Sequence, residues 1–212
     1  MIPPNKITFA EDRSRFHAFL LCCGVLGAAL FSIVNFTFAA VSPDYDIARQ
    51  SVGDLELASY GWVQSANFVM LGLFICAFAW GLRKELISGR GATSLPLLTI
   101  ALGIVMMWLG MFIHEPVHSL LAPVLFALII ASFIVIIRRF AVDERWKGWP
   151  VYTAISAIVM IALLIFYIRA RLNHGAYAGL FERGILLTRV IWTLFFTVRL
   201  VAGTRLGPVE KQ

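Results

Sequence analysis

Six stretches of this sequence are apolar around their whole circumference, at 16–41, 62–82, 95–113, 119–137, 151–168 and 185–202. A helix at a water interface confines its apolar residues to a stripe, with polar residues opposite. Runs of about 20 residues without that segregation match the roughly 30 Å hydrocarbon core of a bilayer. Backbone N–H and C=O groups in lipid are satisfied only inside a helix or a closed barrel, and runs of this length predict helices. The chain therefore reads as all-α, an integral membrane bundle of about six transmembrane helices. On this reading 1–15 is a cytoplasmic N-terminal segment, 16–202 one transmembrane domain and 203–212 a cytoplasmic tail. Composition agrees: 60% of 212 residues are hydrophobic and 14% charged, with a mean hydropathy of +0.84, more apolar side chain than a soluble core of this length can bury.

Connections between the runs carry turn residues, and Pro96, Pro123 and Pro150 fall in or just before a first helical turn, where a missing N–H costs little. Pro123 alternatively marks a kink. The N-terminal basic residues ahead of an apolar run resemble a secretory signal, but the run is longer than a signal's apolar region of about 7–15 residues and is expected to stay as the first span.

Basic residues orient the chain. With the N-terminus inside, 13 of the 18 Lys and Arg lie on the cytoplasmic side and five outside, namely Arg49, Arg169, Arg171, Arg183 and Arg189. That asymmetry places both termini in the cytoplasm of a cell inner or plasma membrane. It also accounts for the net charge of +6 without nucleic acid. Cys22, Cys23 and Cys76 sit inside apolar runs, where a thiol behaves as a small hydrophobe, so no disulfide framework is implied. Tyr60, Trp62, Trp80, Trp146, Trp149 and Tyr167 flank spans and are expected to anchor at headgroup level.

On this topology the cytoplasmic loops are short and basic, and the unusual polar residues gather outside. The segment 42–61 has Ile47, Val52, Leu55 and Leu57 at near-helical spacing and is expected to form a short amphipathic surface helix. The HEPVH turn at 114–118 has the letters of a zinc-binding H-E-x-x-H helix. Pro116 between its histidines opposes that geometry, so zinc through His114 and His118 is a disfavoured alternative and no cofactor is favoured. Arg189 lies well inside the sixth run and shares a helix face with Glu182, two turns away. An ionisable group at that depth is a candidate functional residue. Asn35, Gln64 and Asn67 must find partners within the bundle, and with His118 and Arg189 they suggest a polar pocket in the outer half. A haem site is disfavoured, because His17 stands alone at the inner end.

The order SPDYD, SVGDLE and GWVQSANFVMLGL after the first span, a His before the fourth (His118), and GLFERGILL and IWTLFFTVRL through the sixth resembles a bacterial and archaeal membrane family, domain of unknown function 998. The resemblance covers about 20–200. It implies a compact six-helix membrane domain with no settled activity, and its family-like positions are Pro43, Asp54, Asn67, Gly72, His118, Gly179, Glu182, Arg183, Trp192 and Arg199. The HEPVH turn departs from the single His expected there, which further weakens the zinc reading.

Together these residues point to a membrane protein, more in keeping with a binding protein than an enzyme, that takes a lipid headgroup or small amphiphile. Asp54, Asn67, His118, Glu182, Arg183 and Arg189 are the candidate ligand-binding residues. Membrane lipids are the expected partners, with a protein partner or homo-oligomer compatible. The alternatives are an intramembrane metal-dependent hydrolase at the HEPVH turn and a small transporter or channel, which would need polar groups at the midplane that the inner halves of the spans scarcely supply.

Overall fold

The computed structural model describes residues 15–112, 116–173 and 175–203. Within them the chain forms α1 (Arg15–Val41), α2 (Trp62–Glu85), α3 (Ser94–Met111), α4 (Pro116–Phe140), α5 (Trp149–Leu172) and α6 (Ala178–Gly203). Short 3₁₀ turns lie at Gly53–Leu57 and Glu144–Trp146, and no strand occurs among the described residues. All six helices are long and apolar enough to cross a membrane. Each packs on its neighbours in the chain and α1 also packs on α6, so the six close into a ring in chain order.

Polarity is arranged for lipid. On α5, Thr153 and Ser156 are buried with Met160, whereas Ile155, Ile158 and Ile165 are 56%, 66% and 59% exposed. Those exposed side chains face hydrocarbon in a membrane, and the buried hydroxyls are spent inside: Ser156 Oγ donates to Tyr152 O at 2.9 Å, and Thr153 Oγ1 accepts from Trp192 Nε1 at 3.2 Å.

Small residues bring α1, α2 and α3 together. Between lipid-embedded helices the attraction is packing and interhelical polar contact, which close backbone approach maximises. A Cβ added at Gly72 would lie 2.5 Å from Gly103 O, and one at Gly103 would lie 2.7 Å from Gly72 O. The α2 and α3 backbones thus touch where neither has a side chain.

Helix limits follow the sequence except where polar residues mislead a hydropathy reading. α6 begins at Ala178, well before the apolar run at 185, and its Glu182 and Arg183 find partners in the 42–61 connection. The segment 42–61 is not an amphipathic helix: it is a string of turns with one 3₁₀ turn. Aromatic roles divide. Tyr60, Trp62 and Trp80 are 75%, 69% and 55% exposed, as anchors should be, but Trp146 is 5% exposed. It stacks on Phe140 at 4.0 Å in a cluster that includes Trp149, Phe196 and Trp192. Nor is the face expected to be cytoplasmic simply basic. His17 Nε2 lies 3.0 Å from Gly81 O and 3.6 Å from the buried Glu85 carboxylate. Buried Arg139 donates to Arg90 O at 2.6 Å and Ser88 O at 3.0 Å, tying the end of α4 to the α2–α3 connection.

Gly103→Val would drive two methyl groups into the α2 backbone. Overpacking of this kind costs about 1–3 kcal/mol, so the variant should melt at a visibly lower temperature in detergent, whereas Gly148→Ala, where an added Cβ meets nothing within 4 Å, tests the separate cost of a positive φ.

Candidate functional site

The polar residues gather at the face of the bundle that carries 42–61, and they do three different things. The first group latches that segment to α6. Arg183, 3% exposed, donates from Nη1 to Ile47 O (2.9 Å), Gln50 O (3.2 Å) and Gly179 O (3.1 Å), and from Nη2 to Tyr45 Oη (2.7 Å). Its guanidinium also lies 5.6 Å from the Tyr45 ring centroid. A planar fork with five donors serves several acceptors at once, which a lysine cannot match. One turn of α6 earlier, Gly179 leaves room for the segment: a Cβ there would lie 2.3 Å from Gln50 O and 2.6 Å from Ile47 O. Glu182 accepts from Val52 N at 2.7 Å, and Asp54 accepts from Ser51 N at 2.7 Å and from Arg171 Nη1 at 3.0 Å. Tyr45 donates to Ser51 O at 2.6 Å. Burial pushes its phenol above the ordinary value, and the bond from Arg183 opposes that shift.

The second group lies beneath the segment. Asn67 Nδ2 donates to Phe31 O at 3.1 Å and to Gln64 Oε1 at 3.3 Å, binding α2 to α1. Asn35, Gln64 and Glu56 are 2%, 0% and 6% exposed, yet Asn35 Nδ2 and Gln64 Nε2 have no hydrogen-bond partner among the described residues, and the Glu56 carboxyl has the Ser65 hydroxyl beside it. The Ser65 hydroxyl beside Glu56 directs its proton to Gly61 O, 3.4 Å away. Burial pushes the Glu56 carboxyl up to about 7, with Ser65 pulling the other way.

Arg189 is the third case. It does not join Asn35 and Gln64, nor does it pair with Glu182 two turns away. Its guanidinium sits 4.8 Å from the Trp192 centroid and 5.2 Å from that of Phe133, and Nη1 is shielded from solvent without a hydrogen-bond partner among the described residues. Two aromatic faces are what hold this cation deep in the bundle.

The segment and the end of α1 enclose an open cleft of about 760 Å³. Ser42, Asp44, Tyr45, Gln50 and Asp54 supply its polar lining, and Phe38, Val41, Leu57 and Tyr60 its apolar edge. Tyr60 has a φ of 65°, an uncommon conformation for a non-glycine residue.

Of the sequence candidates, Asp54, Glu182 and Arg183 thus belong to the latch, Asn67 to the layer beneath, and Arg189 to an aromatic cage. His114, Glu115, His174 and the His118 side chain lie outside the described residues, and so does the zinc reading that rests on them. Among the described residues no three His, Cys, Asp or Glu side chains are grouped to hold a metal. Glu56 escaped the sequence reading because a carboxylate in a polar connection signals solvent; the apolar Val52 and Leu55 around it were the available hint of burial.

Two variants probe this geometry. Arg183→Lys should lose the fork and most of the latch, at about 1.5–3 kcal/mol for each charged hydrogen bond removed, and proteases should then cut within 42–61 while the helices stay intact. Glu56 titrates with a sign opposite to that of a salt-bridged carboxylate. Its neutral form is favoured by folding, so its contribution is fully present below about pH 4.5 and is lost as pH rises to about 7. Glu56→Gln should abolish a difference on the order of 3 kcal/mol between those limits, read from denaturation at pH 5 and pH 8.

No curated protein and no solved structure matches the chain. The family model described as "Protein of unknown function (DUF998)" matches residues 25–199, most of the chain, and the helices, latch and cleft described above lie almost wholly within that span, so this protein belongs to the DUF998 family.

Proposed function

We propose that the protein binds the headgroup of a membrane amphiphile in the cleft that the 42–61 segment forms with the end of α1. The observation that carries this reading is the cleft's make-up: polar groups at the end of a membrane-spanning bundle, with exposed Val41, Leu57 and Tyr60 beside them to accompany an acyl chain. Ligand sites are commonly concave, apolar in most of their lining and furnished with a few placed polar groups. No Lys or Arg lines the cleft, while Asp44 and Asp54 do. Its electrostatics therefore favour neutral or cationic headgroups over anionic ones. The charge asymmetry between the two faces would put the cleft on the outer side of the membrane.

The latch supports a binding role over a catalytic one. Asp54, Glu182 and Arg183 have the chemistry of acid, base and electrostatic stabiliser, but their bonds go to backbone groups, to Arg171 and to Tyr45, which positions a segment.

Native mass spectrometry of the protein released from mixed-lipid nanodiscs tests the proposal. One lipid class should remain bound well above its share of the bilayer, and Phe38→Ala combined with Leu57→Ala should lower its retention about tenfold, the effect of losing roughly 1.4 kcal/mol. Retention that mirrors the bulk lipid composition would contradict it.

A further inference from the structure

We infer that Glu56 is a protonation switch on the wall of the cleft: with its carboxyl neutral the turn at 55–60 lies against α2, and with it ionised the turn lifts and the cleft opens on that side. The switch belongs to the wall itself and works on an empty cleft as on an occupied one.

The 42–61 connection is held unevenly. Its first part is tied to other helices, by Arg183 to Ile47 and Gln50, by Glu182 to Val52 and by Arg171 to Asp54. Residues 55–60 have no such tie. Among the described residues their hydrogen bonds stay local, as from Ala58 N to Leu55 O at 3.3 Å and from Gly61 N to Ala58 O at 2.9 Å. Yet Leu57, Ala58, Ser59 and Tyr60 all line the cleft. What seats this turn on α2 is the burial of Leu55, 0% exposed, and of Glu56. Tyr60, at a φ of 65°, puts an uncommon backbone conformation into the seated turn, which the surrounding contacts must sustain. Gly61 completes the turn, since a Cβ there would collide with Glu56 O.

Of these seating contacts, Glu56 is the one that can change sign. A buried carboxyl is tolerated when neutral and driven toward water when ionised, unless a cation compensates. None does so here. The first turn of α2, against which the carboxyl lies, offers Trp62, Val63, Gln64 and Ser65, and of these Ser65 acts on it. The charged groups around the connection are engaged elsewhere: Asp54 with Arg171, Glu182 with Val52, and Arg183 with carbonyl oxygens and Tyr45. Burial accordingly raises the carboxyl from an ordinary 4.5 to about 7. A group raised in the seated state favours that state fully below about pH 4.5, and the preference is lost as pH climbs to about 7. Only local bonds resist the opening, so the turn lifts while the tied part of the connection stays in place.

Hydrogen–deuterium exchange of the full chain in phosphatidylcholine nanodiscs, corrected for the intrinsic rate at each pH, reads the switch at the Ala58 and Gly61 amides. Their protection should fall on the order of 50-fold from pH 5 to pH 8. Glu56→Gln, nearly isosteric and uncharged, should hold it at the pH 5 level throughout. Ser65→Ala removes a neighbour that favours the charged carboxyl, so it should extend the loss to higher pH. Protection at these two amides that does not change with pH overturns the switch. A loss that persists undiminished in Glu56→Gln overturns it too, because another group would then be titrating. Lipid retention enters none of these readings, so a failed headgroup assay leaves the switch standing and a failed switch leaves the headgroup proposal standing.

Discussion

A polar group on a helix in hydrocarbon has no water to fall back on, so the bundle itself must satisfy it. Most of this structure follows from that constraint. Hydroxyls on the spans bond back to carbonyl oxygens one turn earlier, as Thr99 does to Leu95 and Thr188 to Gly184. Arg189 is held by Phe133 and Trp192. Arg183 is satisfied only because 42–61 folds back and offers it two carbonyl oxygens and a phenol. That one guanidinium shapes a connection that has no regular structure of its own, and the cleft exists because the connection is held there.

The same constraint makes the exceptions informative. Where Asn67 is served by Phe31 and Gln64, α1 and α2 are locked in register. One turn closer to the cleft, the amide groups of Asn35 and Gln64 are sealed from solvent and unserved, and the buried Glu56 carboxyl has the Ser65 hydroxyl beside it. Other buried polar atoms without a hydrogen-bond partner among the described residues, such as Arg189 Nη1, Trp149 Nε1 and Thr197 Oγ1, lie elsewhere in the bundle. The latch that Arg183 makes with four acceptors shapes this end of the molecule, and the cleft beside it is the basis for reading that end as a binding site.

The spans were legible because lipid-facing residues need only be apolar, which a run of 20 such residues announces directly. The latch was half legible. Glu182 and Arg183 looked anomalous at the mouth of an apolar run, but their partners are backbone carbonyls and an N–H in 42–61, and backbone groups leave no trace in residue type. The helical spacing of Ile47, Val52 and Leu55 misled for a related reason: Val52 and Leu55 are buried against the bundle by turns, not by a helix face. Trp146 had the position of an interfacial anchor, and only the placement of Phe140 and Phe196 shows it to be core. Glu85 with His17, and Arg139 with the carbonyl oxygens of Ser88 and Arg90, hid behind the expectation that charges at span ends face water.

The bonds of Arg183, Glu182 and Asp54 make 42–61 a fixed cap and not a loose loop. Hydrogen–deuterium exchange of the nanodisc-embedded protein reads this at one amide. The Val52 N–H, bonded to Glu182 across the interface with α6, should exchange as slowly as amides within the helices, and Glu182→Gln, which weakens that acceptor, should speed it selectively. Exchange of Val52 and its neighbours at the rate of an unstructured peptide in the unmodified protein would contradict the latch, and with it the cleft and the buried layer beneath.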